Sequence, residues 1–140
     1  MKYFIALITF LFVSPVYAED ITIEMLNKRD DGERMVYSED IAQVNVGDTI
    51  TWVATTKGHN VEFIVGPEGA TLPKKSKMNV EVHMTFEVPG IYYYVCTPHK
   101  SMGMIGLVVV GGDTSNIEAV ASAKAMGKSK KKLAELISTL

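Results

Sequence analysis

The chain lacks the means to staple itself. It has a single cysteine, Cys96, so no intramolecular disulfide can form. Histidine is nearly as scarce, with three in 140 residues. A cluster of several metal ions held by imidazoles cannot be built from so few. No apolar run reaches the roughly 20 residues needed to span a bilayer. No internal repeat is visible. Neither sign of charge dominates: 14 basic against 16 acidic side chains leave a formal net of −2. Bulk charge therefore singles out no partner, and neither nucleic-acid binding nor membrane insertion is expected.

What is present is an ordinary globular balance, 47% hydrophobic and 21% charged. The length suits one domain, which can bury a core without disulfides. The first eighteen residues stand apart. Lys2 supplies a positive start, Tyr3 to Val13 is an apolar run interrupted only by Thr9, and Ser14-Pro15 breaks it. Val16-Tyr17-Ala18 then places small residues at a cleavage site. Residues 1–18 read as a secretory signal peptide, too short for a membrane anchor. In an exported chain a lone thiol is a liability unless something occupies it.

The middle of the chain reads as β-structure. Ile21, Ile23 and Met25 alternate with Thr22 and Glu24, and Val44 and Val46 flank Asn45 ahead of a Gly47-Asp48 turn. Thr49 to Val53 is β-branched around Trp52, and Val61 to Val65 is a further short run. Val80, Val82, Met84, Phe86 and Val88 share one face, with His83 on the other, expected exposed and unliganded. After Pro89-Gly90 come Ile91 to Val95 and, finally, Leu107 to Val110. Short strands separated by turn residues predict a β-sandwich over residues 19–112. Residues 113–140 read as a helical tail. Ser115 and Glu118 fit a capping box before an alanine-rich helix running to Met126. Ser129 fits the cap of a second helix, with Leu133, Leu136, Ile137 and Leu140 at helical spacing. The lysines at 128, 130, 131 and 132 read as its solvated face.

One segment gathers chemistry. Cys96-Thr97-Pro98-His99-Lys100-Ser101-Met102-Gly103-Met104 follows one strand and precedes another. It holds a thiol, an imidazole and two thioethers. Gly103 and Gly106 are expected to allow tight returns that carry a methionine back over a bound ion. His59, in Lys57-Gly58-His59-Asn60, lies between two other strands. Taken singly, a cysteine is a small buried hydrophobe and a methionine a core filler. Together they offer two imidazoles, a thiolate and a weak thioether, the donor set of a mononuclear copper site for electron transfer. Structural zinc would want four Cys/His ligands, and only three are at hand. A Cys–His nucleophilic pair lacks a third orienting residue. By spacing, Met102 and Met104 both remain candidates for the axial donor.

These residues carry a resemblance. Cys96-Thr97-Pro98-His99…Met104, with Gly58-His59-Asn60-Val61-Glu62 upstream, resembles the type 1 copper proteins of the cupredoxin class, and within it the pseudoazurins. Met25-Leu26-Asn27-Lys28, Gly47-Asp48-Thr49, Met102-Gly103-Met104-Ile105-Gly106 and the helical tail extend the likeness over nearly all of the chain beyond the leader. The resemblance implies a mainly β fold, a cupredoxin-like Greek-key sandwich with a two-helix tail packed on it. It implies one copper ion held by His59, Cys96, His99 and Met104, since Met102 would give the amicyanin spacing and amicyanin lacks the tail. Asn60 would brace the copper loop. Met102 would sit at the rim of the exposed His99 edge, within a ring of lysines drawn from Lys28, Lys57, Lys75, Lys77 and Lys100. Glu24 and Val95 depart from the family, standing where members commonly carry a histidine and a lysine.

The implied function is a soluble periplasmic one-electron carrier, a monomer that transiently meets a nitrite reductase or a c-type cytochrome. It is not an enzyme. The competing readings are a copper trafficking or storage protein and, more remotely, a hydrolase or copper oxidase.

Overall fold

The structure is a computed structural model that describes residues 11–140. The leader read over residues 1–18 thus lies, in its first ten residues, outside the described part. Residues 11–19 are exposed and form no strand or helix.

Eight strands follow in chain order: β1 Asp20–Lys28, β2 Arg34–Tyr37, β3 Ile41–Val44, β4 Thr49–Val53, β5 Glu62–Val65, β6 Val82–Thr85, β7 Gly90–Val95 and β8 Ile105–Val110. They form two four-stranded sheets, ordered β2-β1-β4-β6 and β3-β8-β7-β5. Each sheet contains one parallel pair, β1 with β4 and β3 with β8. The first sheet follows simple alternation. Ile23 and Met25 of β1, and Ile50 and Trp52 of β4, point inward, while Thr22 and Glu24 face water.

The second sheet is different at its centre. Every residue of β7 and β8 is buried. Neither strand alternates polar with apolar, because both of its faces are covered. The period of two then sorts the side chains between two cores. Tyr92, Tyr94, Val108 and Val110 join Trp52, Phe86 and Tyr37 inside the sandwich. Ile91, Tyr93, Val95, Leu107 and Val109 face outward onto Val120 and Leu133 of the tail. Val95 is therefore a buried residue of this outer core, 2% exposed, and not a member of any surface ring.

The tail supplies helices α1 Ile117–Ala121 and α2 Lys128–Ile137. Three expectations about it change. Ser115 is not the N-cap: its N–H bonds the Asp113 carboxylate at 2.8 Å, and the cap position falls to Asn116. Asn116 makes no side-chain cap because its amide is engaged by both backbone groups of Ile91, at 2.8 Å each. The alanine-rich helix stops at Ala121, and Ala123 and Ala125 pack against the outer core instead of extending it. A five-residue helix with alanine at its margin has little apolar face to hold it, so sheet contacts decide where it ends. Ser129 also does not cap α2; Gly127 holds the cap position, and Ser129 lies inside the helix, buried.

Gly106 does not serve a tight return. It sits within β8, where a Cβ would collide with the Tyr94 ring. The requirement is for space. Gly106→Ala is expected to destabilise the fold by about 1–3 kcal/mol, the usual cost of overpacking a filled core. A denaturant midpoint for the copper-free protein measures it, and an unchanged midpoint would mean that Tyr94 moves aside freely.

Candidate metal centre

Three stretches of chain converge at one end of the sandwich. Cys96 directly follows β7, His99 closes the 3-10 turn Thr97–His99, and Met104 directly precedes β8. His59 comes from the connection between β4 and β5. The Cys96 Sγ lies 3.8 Å from His59 Nδ1 and 3.4 Å from His99 Nδ1. The three donor atoms lie within 4.8 Å of one another, the only such group of His, Cys, Asp or Glu among the described residues.

That spacing can be tested against a metal. Bonds of roughly 2.0–2.1 Å to nitrogen and 2.3 Å to sulfur, set 120° apart, put nitrogen and sulfur about 3.8 Å apart. The two observed separations lie at and slightly inside that value. The thiol and either imidazole can thus share one ion with small adjustment, and the two ring nitrogens, within 4.8 Å of each other, would settle toward the separation of about 3.6 Å that 120° requires. The donor set, soft thiolate with two imidazoles, suits copper.

The two methionines part company here. Met104 is fully buried in the same core cluster as Cys96. Its carbonyl accepts the Cys96 N–H at 2.9 Å, and its own N–H donates to the His99 carbonyl at 3.3 Å. Met102 is 47% exposed and lines a surface cleft with Arg29 and Lys128. Met104 thus belongs to the inner side of the loop and Met102 to its outer side.

Polar side chains hold the donors in place. His59 Nε2 and Asn27 Oδ1 are 2.8 Å apart, so the ring donates there and leaves Nδ1 free to face the thiol. Asn60 is buried; its Oδ1 accepts the Thr97 N–H at 2.8 Å and its Nδ2 donates to Thr97 Oγ1 at 2.9 Å. Thr97 Oγ1 donates in turn to the Glu62 carboxylate at 2.6 Å. Asn79 grips the His59 segment from the far side. Its side chain accepts the Gly58 N–H at 2.6 Å, and its own N–H donates to the His59 carbonyl at 2.9 Å. It does so from a left-handed backbone, φ 63°, a conformation asparagine tolerates better than most residues. The sequence reading misses Asn27 and Asn79 as supports of the site. Both act across long chain separations, and no local pattern marks them.

His83 stays outside the centre. It is exposed on the outer face of the first sheet, 2.9 Å from Thr51 Oγ1 and from Glu81 Oε1. Lys28, Lys57, Lys75 and Lys77 are exposed, and Lys100 is half-buried.

Burial sets the electrostatics. It pushes the Cys96 thiol up from its ordinary value, against the pull of the Asn60 and His99 backbone groups. Burial also lowers both imidazoles, and for His59 the neighbouring His99 lowers it further. The imidazoles are thus kept in the neutral form a metal needs, while the thiol keeps its proton until a metal displaces it. A raised thiol is the opposite of an activated nucleophile, which counts against a hydrolase. Because one proton leaves with each ion bound, apparent copper affinity should rise about tenfold per pH unit across neutrality. Competition against a chelator at several pH values measures this. A pH-independent affinity would remove Cys96 from the ligand set.

The relatives agree with the geometry. The model of copper-binding proteins of the plastocyanin/azurin family matches residues 23–111. A putative pseudoazurin of Rhizobium leguminosarum bv. viciae is 40% identical over 118 residues, covering 83% of this chain and 76% of that protein. The pseudoazurin of Paracoccus pantotrophus is 40% identical over 122 residues, 86% of this chain and 83% of that one. The crystal structure of native pseudoazurin from Hyphomicrobium denitrificans superimposes with a TM-score of 0.79 at 38% identity, covering 86% of this chain and 98% of that chain. With a copper-ready donor set at the end of a two-sheet sandwich, the chain belongs to the plastocyanin/azurin family of copper-binding electron carriers, on its pseudoazurin branch.

Proposed function

We propose that the chain is a soluble periplasmic carrier that delivers single electrons to a nitrite reductase and that a c-type cytochrome can also serve as its partner. The leader would be removed after Ala18, leaving the sandwich at 19–112 and the tail at 113–140. His59 Nδ1, Cys96 Sγ and His99 Nδ1 would form the ligand plane, with the Met104 thioether as the axial donor.

One observation carries this reading: of the three residues around the site, His59 and Cys96 are fully buried and His99 is not. Copper bound there supplies a one-electron Cu(I)/Cu(II) couple. Everything else is done by the protein. Cys96, at a strand end, anchors the site to the core. Asn60 and Asn27 fix the loop and the ring, so the ligands have little freedom to rearrange between states. His99 offers an edge to solvent through which a partner can be reached. Burial of Cys96 and Met104 leaves neither sulfur exposed to hand the ion on, which argues against trafficking.

The lysines fit a transient, acidic partner. Lys28 follows Asn27, Lys57 lies two residues before His59, Lys75 and Lys77 flank Ser76, and Lys100 follows His99. The Ser76 carbonyl accepts from Asn60 Nδ2 at 3.3 Å, and its hydroxyl oxygen accepts the Val61 N–H at 2.9 Å. Each lysine is thus next to a residue of the site or its support. Charge placed this way raises encounter rate more than affinity.

Two experiments test the reading. The copper-loaded protein should show the strong visible band and narrow paramagnetic hyperfine splitting of a thiolate–copper(II) bond. Met104→Gln should change that spectrum and lower the reduction potential, while Met102→Ala should leave the spectrum as it was; the reverse result would transfer the axial role to Met102. Charge reversal at Lys57 and Lys77 should slow electron delivery to an acidic nitrite reductase by roughly tenfold at low salt, with the loss shrinking as salt rises. Equal rates at low salt would remove these lysines from docking.

A further inference from the structure

The copper loop is held from two sides, and only the inner side belongs to the sandwich. Its first half, Cys96 and Thr97, is fixed by Asn60 and Glu62. Its second half, Lys100 to Gly103, contributes no strand or helix residue. There the carbonyls of Lys100 and Ser101 accept hydrogen bonds from the start of α2. The Lys128 N–H donates to the Ser101 carbonyl at 3.0 Å. The Ser129 hydroxyl donates to the Lys100 carbonyl. Ser129 is only 1% exposed, so this hydroxyl has no bulk water to turn to. Gly127 allows the approach: its φ is +55°, and a Cβ there would run into the Ser101 carbonyl oxygen. A Cβ added at Gly103, on the same stretch, would just reach ordinary contact with the Lys128 and Lys132 side chains.

The helix that makes these contacts is itself anchored elsewhere. Leu133 is buried in the outer core with residues of β7 and β8. Lys132 pairs with Asp40 at 2.7 Å, and Asp40 also pairs with Arg29 at 3.1 Å. α2 therefore cannot follow the loop if the loop shifts. The stretch it grips lies between His99 and Met104. Inside that stretch the Met102 and Met104 N–H groups both donate to the His99 carbonyl, at 2.9 and 3.3 Å.

From this arrangement we propose that Ser129, with the Lys128 backbone N–H, is a positioning device for the copper centre: the tail clamps the outer half of the ligand loop and so fixes His99 and Met104 relative to Cys96. The inference rests on the ligand set proposed above for its effect on copper, but the clamp itself can be read without copper. An electron carrier gains from it directly. A loop bound on both sides has less room to move when the ion changes charge.

The test uses substitutions in the otherwise intact protein. Ser129→Ala removes the hydroxyl at a position where alanine favours helix. Ser129→Thr keeps it. Lys128→Pro keeps a residue the first helical position tolerates but replaces the backbone donor by a ring carbon that must push the Ser101 carbonyl away; Lys128→Ala controls for the lost charge. In the copper-free protein, Ser129→Ala and Lys128→Pro should each speed amide exchange at Met102 and Met104 by roughly two- to tenfold, the loss of one net hydrogen bond. In the copper-loaded protein both should shift the reduction potential and the paramagnetic spectrum, with Ser129→Thr and Lys128→Ala close to the parent. Lower global stability with unchanged loop exchange and an unchanged spectrum would overturn the proposal and leave the contacts as plain packing. If Ser129→Ala fails to fold, Lys128→Pro against Lys128→Ala decides between the two outcomes. Faster exchange with no spectral change would also overturn the copper-positioning role. A Met104 variant with a parental spectrum would instead signal that the ligand reading had failed, with the exchange result still standing.

Discussion

The two-sided burial of β7 is the constraint on which the rest of the structure depends. A strand covered on both faces cannot slip by one residue without putting each side chain into the wrong core. Tyr92 and Tyr94 are committed to the inside, Tyr93 and Val95 to the outside. Cys96, next in line, is therefore committed to the inner core beside Met104. The position of the thiol is fixed by the packing of the strand before it. β8 is locked in the same way, so the loop joining the two strands has both ends set. The loop that carries Cys96, His99 and Met104 therefore starts and ends at positions set by the sheet.

His59 needs a different solution, because it arrives from another connection. It is held by groups drawn from three places: Asn27 at the end of β1, Asn79 before β6, and the Cys96 thiol it faces. The three asparagines, 27, 60 and 79, share one property. Each uses a short side chain to reach a segment that no sheet joins to its own: Asn60 through both ends of its amide, Asn27 and Asn79 through the amide oxygen. Burial meanwhile depresses the imidazoles and raises the thiol. The site is shaped for a cation of the right chemistry, and one thiol proton is all that binding has to displace.

How much of this was legible in the sequence follows from the range of each interaction. Alternation in β1 and around Trp52 was readable because the period of a half-buried strand is local. The pairing of Cys96 with His99 was readable because both lie in one short loop. β2 was harder: Arg34–Tyr37 opens on an exposed charge and ends on two consecutive buried residues, so no alternation announces it. The capping box at Ser115 was a sound local pattern that lost to other partners: Asp113 took the Ser115 N–H, and the Ile91 backbone took the Asn116 amide. Ser129 is the same lesson inverted. Its local context suggested a helix cap, yet its hydroxyl is used by Lys100, 29 residues away. Residues that tie distant segments leave no spacing to read.

The tail also resolves a tension built into an electron carrier. The site must be rigid to keep its ligands in one geometry, and one ligand must be exposed to reach a partner. The sandwich alone satisfies the first need on the inner side of the loop, where Asn60 is buried and Thr97 half-buried. α2 reaches the outer side by gripping the Lys100 and Ser101 carbonyls rather than side chains, and His99 stays partly exposed. Backbone carbonyls are the right handles for this, because they are present whatever side chains the loop carries, and the Met102 side chain stays 47% exposed above them.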